Sequence, residues 1–215
     1  YICLGLLLMF ILPTPKHVVD IRAELAHPND FIRLLQNFRL VGVYLIAALV
    51  MGAFVCTYNF ISYVLLAPPY SLTQTQVGFV FLLYLIGTAA SALMGRLSDR
   101  IGSGKTLLIS IVVMLGGVGI SLVDTLIGKL IGVAMITYGF FGAHTAAAGW
   151  AGRLDDSDKA RISAMYMLFY YAGASMLGTT GGKFLLIGGW FGIVIFLSIV
   201  LSFALFLCFL LLRRT

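Results

Sequence analysis

Six long apolar blocks, at residues 40–66, 76–94, 106–123, 127–148, 162–182 and 190–212, fill most of this chain. A helix rises about 1.5 Å per residue and a bilayer core is about 30 Å thick, so each block is long enough to span a membrane. Open sheets leave backbone groups unpaired in lipid, and the blocks therefore read as helices. Composition excludes a soluble core. Of 215 residues, 61% are hydrophobic and 10% charged, against about 25% charged in soluble domains. The expected fold class is an all-α membrane protein with a six-transmembrane-helix domain.

The charges lie between the blocks or close to their ends. Lys16, Arg22, Arg33, Arg39, Arg96, Arg100, Lys105, Arg153, Lys159, Arg161, Arg213 and Arg214 fall on one side, and Lys129 and Lys183 on the other. This asymmetry predicts that the first side is cytoplasmic, the C-terminus included. The net charge of +6 thus follows from topology, and no basic patch points to nucleic acid. Cys3, Cys56 and Cys208 each sit inside an apolar block, without metal-ligand or redox spacing.

Residues 1–12 are apolar but only about 18 Å long as a helix, with no charged region before them. They are expected to be the end of a truncated transmembrane helix. Pro13 and Pro15 stop that helix. Residues 13–39 then form a cytoplasmic linker. Asn29 or Asp30 is placed to cap a short amphipathic helix through Phe31, Ile32, Leu34 and Leu35; a solvated linker is the alternative.

Between the second and third blocks runs Gly95-Arg-Leu-Ser-Asp-Arg-Ile-Gly-Ser-Gly-Lys105. A tight turn needs glycine where the backbone bends, here Gly95, Gly102 and Gly104. Asp99 can cap a neighbouring helix N-terminus, and Arg100 and Lys105 can pair with Asp99 or lipid phosphates. Gly104-Lys105-Thr106 echoes a phosphate-binding loop, but Asp99 stands where that motif needs glycine and no strand precedes it.

Gly95, Leu97, Asp99, Arg100 and Gly102 match the signature loop of the major facilitator superfamily, which the segment resembles. Ser103 and Gly104 stand where that family usually has Arg or Lys, and Lys105 comes one place later. The resemblance implies that residues 40–215 are the C-terminal six-helix half of a twelve-helix transporter, preceded by the end of helix six and the central loop. It also implies that Asp99 is a conformational latch against the N-terminal half, a missing partner. Stretches 139–150 and 164–190 resemble bacterial drug/sugar exporters of the arabinose-efflux-permease-like type, which implies an inner-membrane location. Gly173, Gly178, Gly181 and Gly182 make a glycine-rich face. It resembles a degenerate copy of the antiporter motif of proton-driven exporters, with Gly178 where that motif has Pro. Close helix packing explains it equally.

Polar side chains concentrate in the first, second, fourth and fifth blocks, so these should surround an interior, with the third and sixth as outer supports. The cavity candidates are Tyr58, Asn59, Tyr84, Tyr138, His144, Tyr166 and Tyr170. Phenol rings suit an amphipathic or aromatic solute. Each also admits a structural reading as interhelical glue or packed core. His144 reads either as a proton relay or gate, or as a neutral His bonded to a neighbouring helix. All eight carboxylates lie in loops or at helix ends.

No nucleophile–base pair, metal cluster or paired acid is visible, so no enzyme, metal or cofactor is expected. The expected function is secondary transport of a small solute by alternating access, with proton-coupled efflux implied by the resemblance. A symporting or uniporting importer, and a non-transporting membrane sensor or scaffold, are the alternatives.

Overall fold

The computed structural model describes residues 28–155 and 158–213. Expectations for residues 1–12 and for most of the linker lie outside these residues. A compact unit of residues 34–215 holds the spans found among the described residues.

Helix starts and stops follow local chemistry. A short helix α1 covers Pro28–Gln36, within the segment read as amphipathic. The Asn37 side chain then accepts from the backbone N–H groups of Arg39 and Leu40, starting α2 at Phe38–Leu66. Pro68 and Pro69 cannot continue it. Thr73 and Gln76 form a reciprocal capping box at α3, Gln74–Gly78. A 3-10 turn, Phe79–Leu83, joins α3 to α4, Tyr84–Ile101. After α5, Ser103–Ile120, Thr125 caps α6, Leu126–Leu154, through the Gly128 N–H. Asp158 caps α7, Lys159–Arg213, through the Arg161 N–H.

Five helices are long and apolar enough to cross a membrane among the described residues. The last, α7, has 55 residues, about 80 Å if straight and more than two bilayer cores long. It is instead broken at Gly188 and Gly189, where Gly189 has φ 56°. The Phe184 and Phe196 rings stack at 4.6 Å, and Gly192 lies against the Phe184 carbonyl. Residues twelve apart on one straight helix would be about 18 Å apart. So α7 is a helical hairpin, and its arms, residues 159–187 and 190–213, supply the fifth and sixth spans.

Glycines set the pairing. Along α2 and the first arm of α7, Tyr44 meets Phe169, Gly173 the Ala48 backbone, Gly178 meets Val55 and Gly181 meets Cys56. Both series rise together, so these spans run parallel. The glycine-rich face is the surface on which α2 packs. Helices α4 and α6 are also parallel, through Gly87 on Phe141 and Gly142 on Met94. Antiparallel contacts join α5 to α6, with Gly117 on Gly132 and Gly139 on Ser110. Others join the second arm of α7 to α5, where Cys208 lies 3.6 Å from the Gly104 carbonyl and Trp190 donates to Ser121.

The turn at residues 95–105 differs from the expected loop. Helix α4 runs through Ile101 and α5 begins at Ser103, so Gly102 alone is the turn, with φ 92°. Charged residues at the end of an apolar span do not stop a helix; they carry it past the lipid. Gly95 and Gly104 are helical. Gly104 lets Trp150 and Leu212 approach, and Gly95 lies near Thr145. Gly102, the residue before α5, contributes no side-chain cap.

Lys129, counted as a cation of the opposite side near the start of the fourth block, is not offered to the surface. It is 3% exposed. Its ammonium donates to the Ser121 carbonyl at 2.8 Å and pairs with Asp124 at 3.5 Å. That carbonyl sits at the C-terminus of α5, where the helix dipole favours a cation.

A candidate aromatic solute face

Helix α2 is the most enclosed of the spans, and the span 74–101 the least. Between them an aromatic ladder climbs the bundle. Phe81 pairs with Tyr58 at 5.7 Å, and Tyr58 with Tyr84 at 4.9 Å. Tyr84 meets Phe54 at 5.5 Å, and Phe54 stacks on Phe140 at 3.8 Å. Phe140 continues to His144 at 6.2 Å, and His144 to Tyr170 at 4.9 Å and Tyr166 at 5.7 Å. Phe141 packs edge-on against Phe54 and Tyr84, and Tyr171 against Tyr170. These rings come from the first, second, fourth and fifth spans; the third and sixth supply none among the described residues. Phe54 and Phe140 lie within a turn of their helices' midpoints, the depth at which transporter sites are usually built.

Helical spacing explains the ladder. Phe54 and Tyr58, Phe140 and His144, and Tyr166 and Tyr170 are pairs four residues apart on one helix face. The 3-10 turn at Phe79–Leu83 brings Phe81 onto the same side as Tyr84, 6.1 Å away.

The polar tips divide into two groups. The Tyr58 hydroxyl shares a 2.8 Å hydrogen bond with the Thr137 hydroxyl, and Tyr166 shares one of 3.0 Å with His144 Nδ1. Asn59 donates to the Gly178 carbonyl at 3.2 Å. These four candidates, Tyr58, Asn59, His144 and Tyr166, tie spans together. Tyr84 is 37% exposed and Tyr171 62%; they and half-buried Tyr170 keep accessible surface. Tyr138 is half-buried and joins none of these ring pairs. Along the ladder, a crevice lined by Val50, Phe140, His144, Tyr166 and Tyr170 is too narrow for water. The arrangement is a face rather than an enclosed pocket. Among the described residues no three His, Cys, Asp or Glu side chains gather to hold a metal.

Sequence reasoning missed Phe54, Phe81, Phe140, Phe141, Thr137 and Tyr171. The four-residue spacing of Phe to Tyr or His was the available signal. At the basic end, Asp99, Arg100 and Lys105 are exposed. The side chain that fastens the turn is Arg153, which donates to Ser98 at 3.3 Å and to Ser103, while these two hydroxyls lie 2.9 Å apart.

No family model matches the chain. Several curated bacterial proteins do. Over 197 residues, 91% of the chain, it is 36% identical to the uncharacterized MFS-type transporter YybF of Bacillus subtilis. Over 204 residues, 92% of the chain, it is 36% identical to the inner membrane transport protein YnfM of Escherichia coli. It is 30% identical over 202 residues to an uncharacterized transporter of Buchnera aphidicola (Schizaphis graminum). The chain spans about half the length of these relatives, 49%, 48% and 49% respectively. It is thus an integral, all-α membrane protein that matches, over nine-tenths of its own length, half of a transporter of the MFS (major facilitator superfamily) type.

Proposed function

We propose that this chain forms the C-terminal six-helix half of a secondary transporter that moves a small solute by alternating access, with the aromatic ladder as its side of the solute pathway. The carrying observation is the stacked, partly open ladder at mid-depth, drawn from four spans. No Asp, Glu, Lys or Arg belongs to it, which favours an amphipathic or aromatic solute over an ion. Two facing halves of this kind would close a cavity that one face leaves open. Names of relatives as transporters support the same reading.

Proton-coupled efflux is the direction we favour, on the likeness to drug/sugar exporters. The described carboxylates, Asp30, Asp99, Asp124, Asp155 and Asp158, all lie at or beyond helix ends, so a membrane-embedded coupling acid would belong to the facing half. On this reading the basic ends face the cytoplasm and Asp99 latches one outward- or inward-facing state.

The test uses cells that express the protein joined to its N-terminal half. Retention of a fluorescent aromatic dye and of a labelled pentose is measured with and without a protonophore. Efflux predicts low retention that rises when the gradient collapses. It also rises in Tyr84→Ala and Tyr170→Ala proteins that still reach the membrane. Gradient-driven accumulation instead establishes the importer. Retention that neither variant changes, with either probe, sinks the aromatic-face reading.

A further inference from the structure

Away from the ladder, the third and sixth spans form a concave surface of their own. Leu108 and Val112 of α5, with Ser202, Leu205, Phe206 and Phe209 of the second arm of α7, line a groove of about 340 Å³, within the roughly 300–1,000 Å³ of ligand sites. No charged side chain lines it, and Ser202 is its one polar lining side chain. Val112, Phe206 and Phe209 are exposed, so the groove opens away from the packed core, on the lipid side of two spanning helices.

Helical spacing carries each wall of the groove to a cation at the basic end. Lys105, Leu108 and Val112 are three and four residues apart on α5 and share one face. On the second arm, Ser202, Phe206, Phe209 and Arg213 follow at steps of four, three and four, and also share a face. The Arg213 guanidinium carbon lies 4.4 Å from the Phe209 ring centroid, so this cation rests on the groove's own wall. The depths of the two cations match. The helices cross at Gly104, where a Cβ would lie 2.6 Å from a Leu212 methyl and where the Cys208 thiol faces the Gly104 carbonyl. Lys105 and Arg213 are each the next residue after that contact, about 1.5 Å of rise along their helices. Both are exposed, and among the described residues neither forms an ion pair. An apolar slot at acyl depth, beneath cations at headgroup depth, is the chemistry of an acidic amphiphile.

We propose that this groove binds an anionic phospholipid of the leaflet at the basic end. One acyl chain lies along Val112, Phe206 and Phe209, and Lys105 and Arg213 hold the phosphate. The occupant is a lipid rather than a free phosphate, because the groove below the cations is hydrocarbon apart from the Ser202 hydroxyl. It is a lipid rather than a second copy of the chain. Two copies in one membrane sit at the same depth, and docking through this face would gather four cations at one level.

The experiment is native mass spectrometry of the chain joined to its N-terminal half, in detergent, titrated with dioleoyl phosphatidylglycerol and dioleoyl phosphatidylcholine. Wild type should bind the glycerol lipid more tightly. Each cation is worth about five-fold, so Lys105→Gln with Arg213→Gln should cut that preference by about 25-fold. Arg96→Gln with Arg100→Gln removes two exposed cations of the same end that lie outside the groove, and should leave the preference as it was. Ser202 is exposed, so Ser202→Trp fills the slot without entering the core and should weaken both lipids. Glycerol phosphate in excess should displace neither. If the Lys105 and Arg213 double variant loses its helical signal, Arg213→Gln alone carries the test with one step of about five-fold. Equal binding of the two lipids by wild type overturns the proposal. So does a preference that survives without Lys105 and Arg213, an equal loss without Arg96 and Arg100, indifference to Ser202→Trp, or displacement by glycerol phosphate.

Discussion

His144 Nδ1 lies 3.0 Å from the Tyr166 hydroxyl, joining the fourth and fifth spans through the lower end of the aromatic ladder. Both side chains keep ring contacts to Tyr170, so removing the hydroxyl alone leaves packing intact. Tyr166→Phe should therefore cost about 0.6 kcal/mol, the average for hydrogen bonds between membrane helices. His144→Ala should cost more, because it also deletes the contacts with Phe140 and Tyr170. Thermal unfolding in detergent checks the order. Equal losses in the two proteins would show that the hydrogen bond, not the stacking, holds this end.

The spans could be read from sequence because their length is fixed by the bilayer and their polarity by what each side faces. Phe54 carried only one signal, its four-residue spacing from Tyr58. Apolar residues are spread all round α2, so no hydrophobic periodicity says which of them turns toward the fourth span. Tyr138 and Phe140 differ by about 200° around the same helix, and only packing decides that Phe140 enters the ladder. The turn at Gly102 shows the same limit. Asp99 and Arg100 drew the eye as charges, yet the contacts that fasten the turn are made by Ser98, Ser103 and Arg153. Arg153 is fifty residues away from Ser103, a pairing that no local spacing encodes.

Gly173 and Gly152 separate close packing from mere glycine content. A methyl at Gly173 meets the Ala48 backbone, which cannot rotate away, whereas one at Gly152 meets nothing within 4 Å. Gly173→Ala should destabilise by about 3 kcal/mol, at the upper end of overpacking costs. Gly152→Ala should stabilise by about 0.5 kcal/mol through reduced backbone entropy. Unfolding of both proteins in the same detergent decides it. A tolerated Gly173→Ala would mean that α2 and the first arm of α7 pack less tightly than described.

Tyr44 is fully buried, and its hydroxyl is the one buried side-chain polar atom without a hydrogen-bond partner among the described residues. Its ring lies 5.6 Å from Phe169. Tyr44→Phe keeps that ring and removes the unpaired oxygen. It should raise stability by about 1 kcal/mol, the lower end of the cost of an unsatisfied buried group. A fall in melting temperature would reveal a bound water or a partner for the hydroxyl.

Ser121 accepts from two directions at the opposite end of the bundle: its carbonyl takes Lys129 Nζ at 2.8 Å and Trp190 Nε1 at 3.0 Å. The two donors share one oxygen, so their deletions should not add. Lys129→Met and Trp190→Phe, made singly and together, should show a coupling of about 1 kcal/mol in a double-mutant cycle. Strict additivity would mean that each donor is held by other contacts.

Burial of Lys129 strengthens the charge argument for sidedness, because this cation is spent on Ser121 and Asp124 rather than offered to the surface. Among the described residues, that leaves Lys183 as the exposed cation of the opposite end, against Arg96, Arg100, Lys105 and others at the basic end. The positive-inside rule then predicts a cytoplasmic basic end. Two positions test this, both exposed and at opposite ends: Ser71 and Lys105. Cys56 and Cys208 are buried and should stay silent; Cys3→Ser removes the remaining thiol. In intact cells, a membrane-impermeant maleimide should label Ser71→Cys and leave Lys105→Cys unlabelled until the membrane is opened. The reverse pattern would invert the topology.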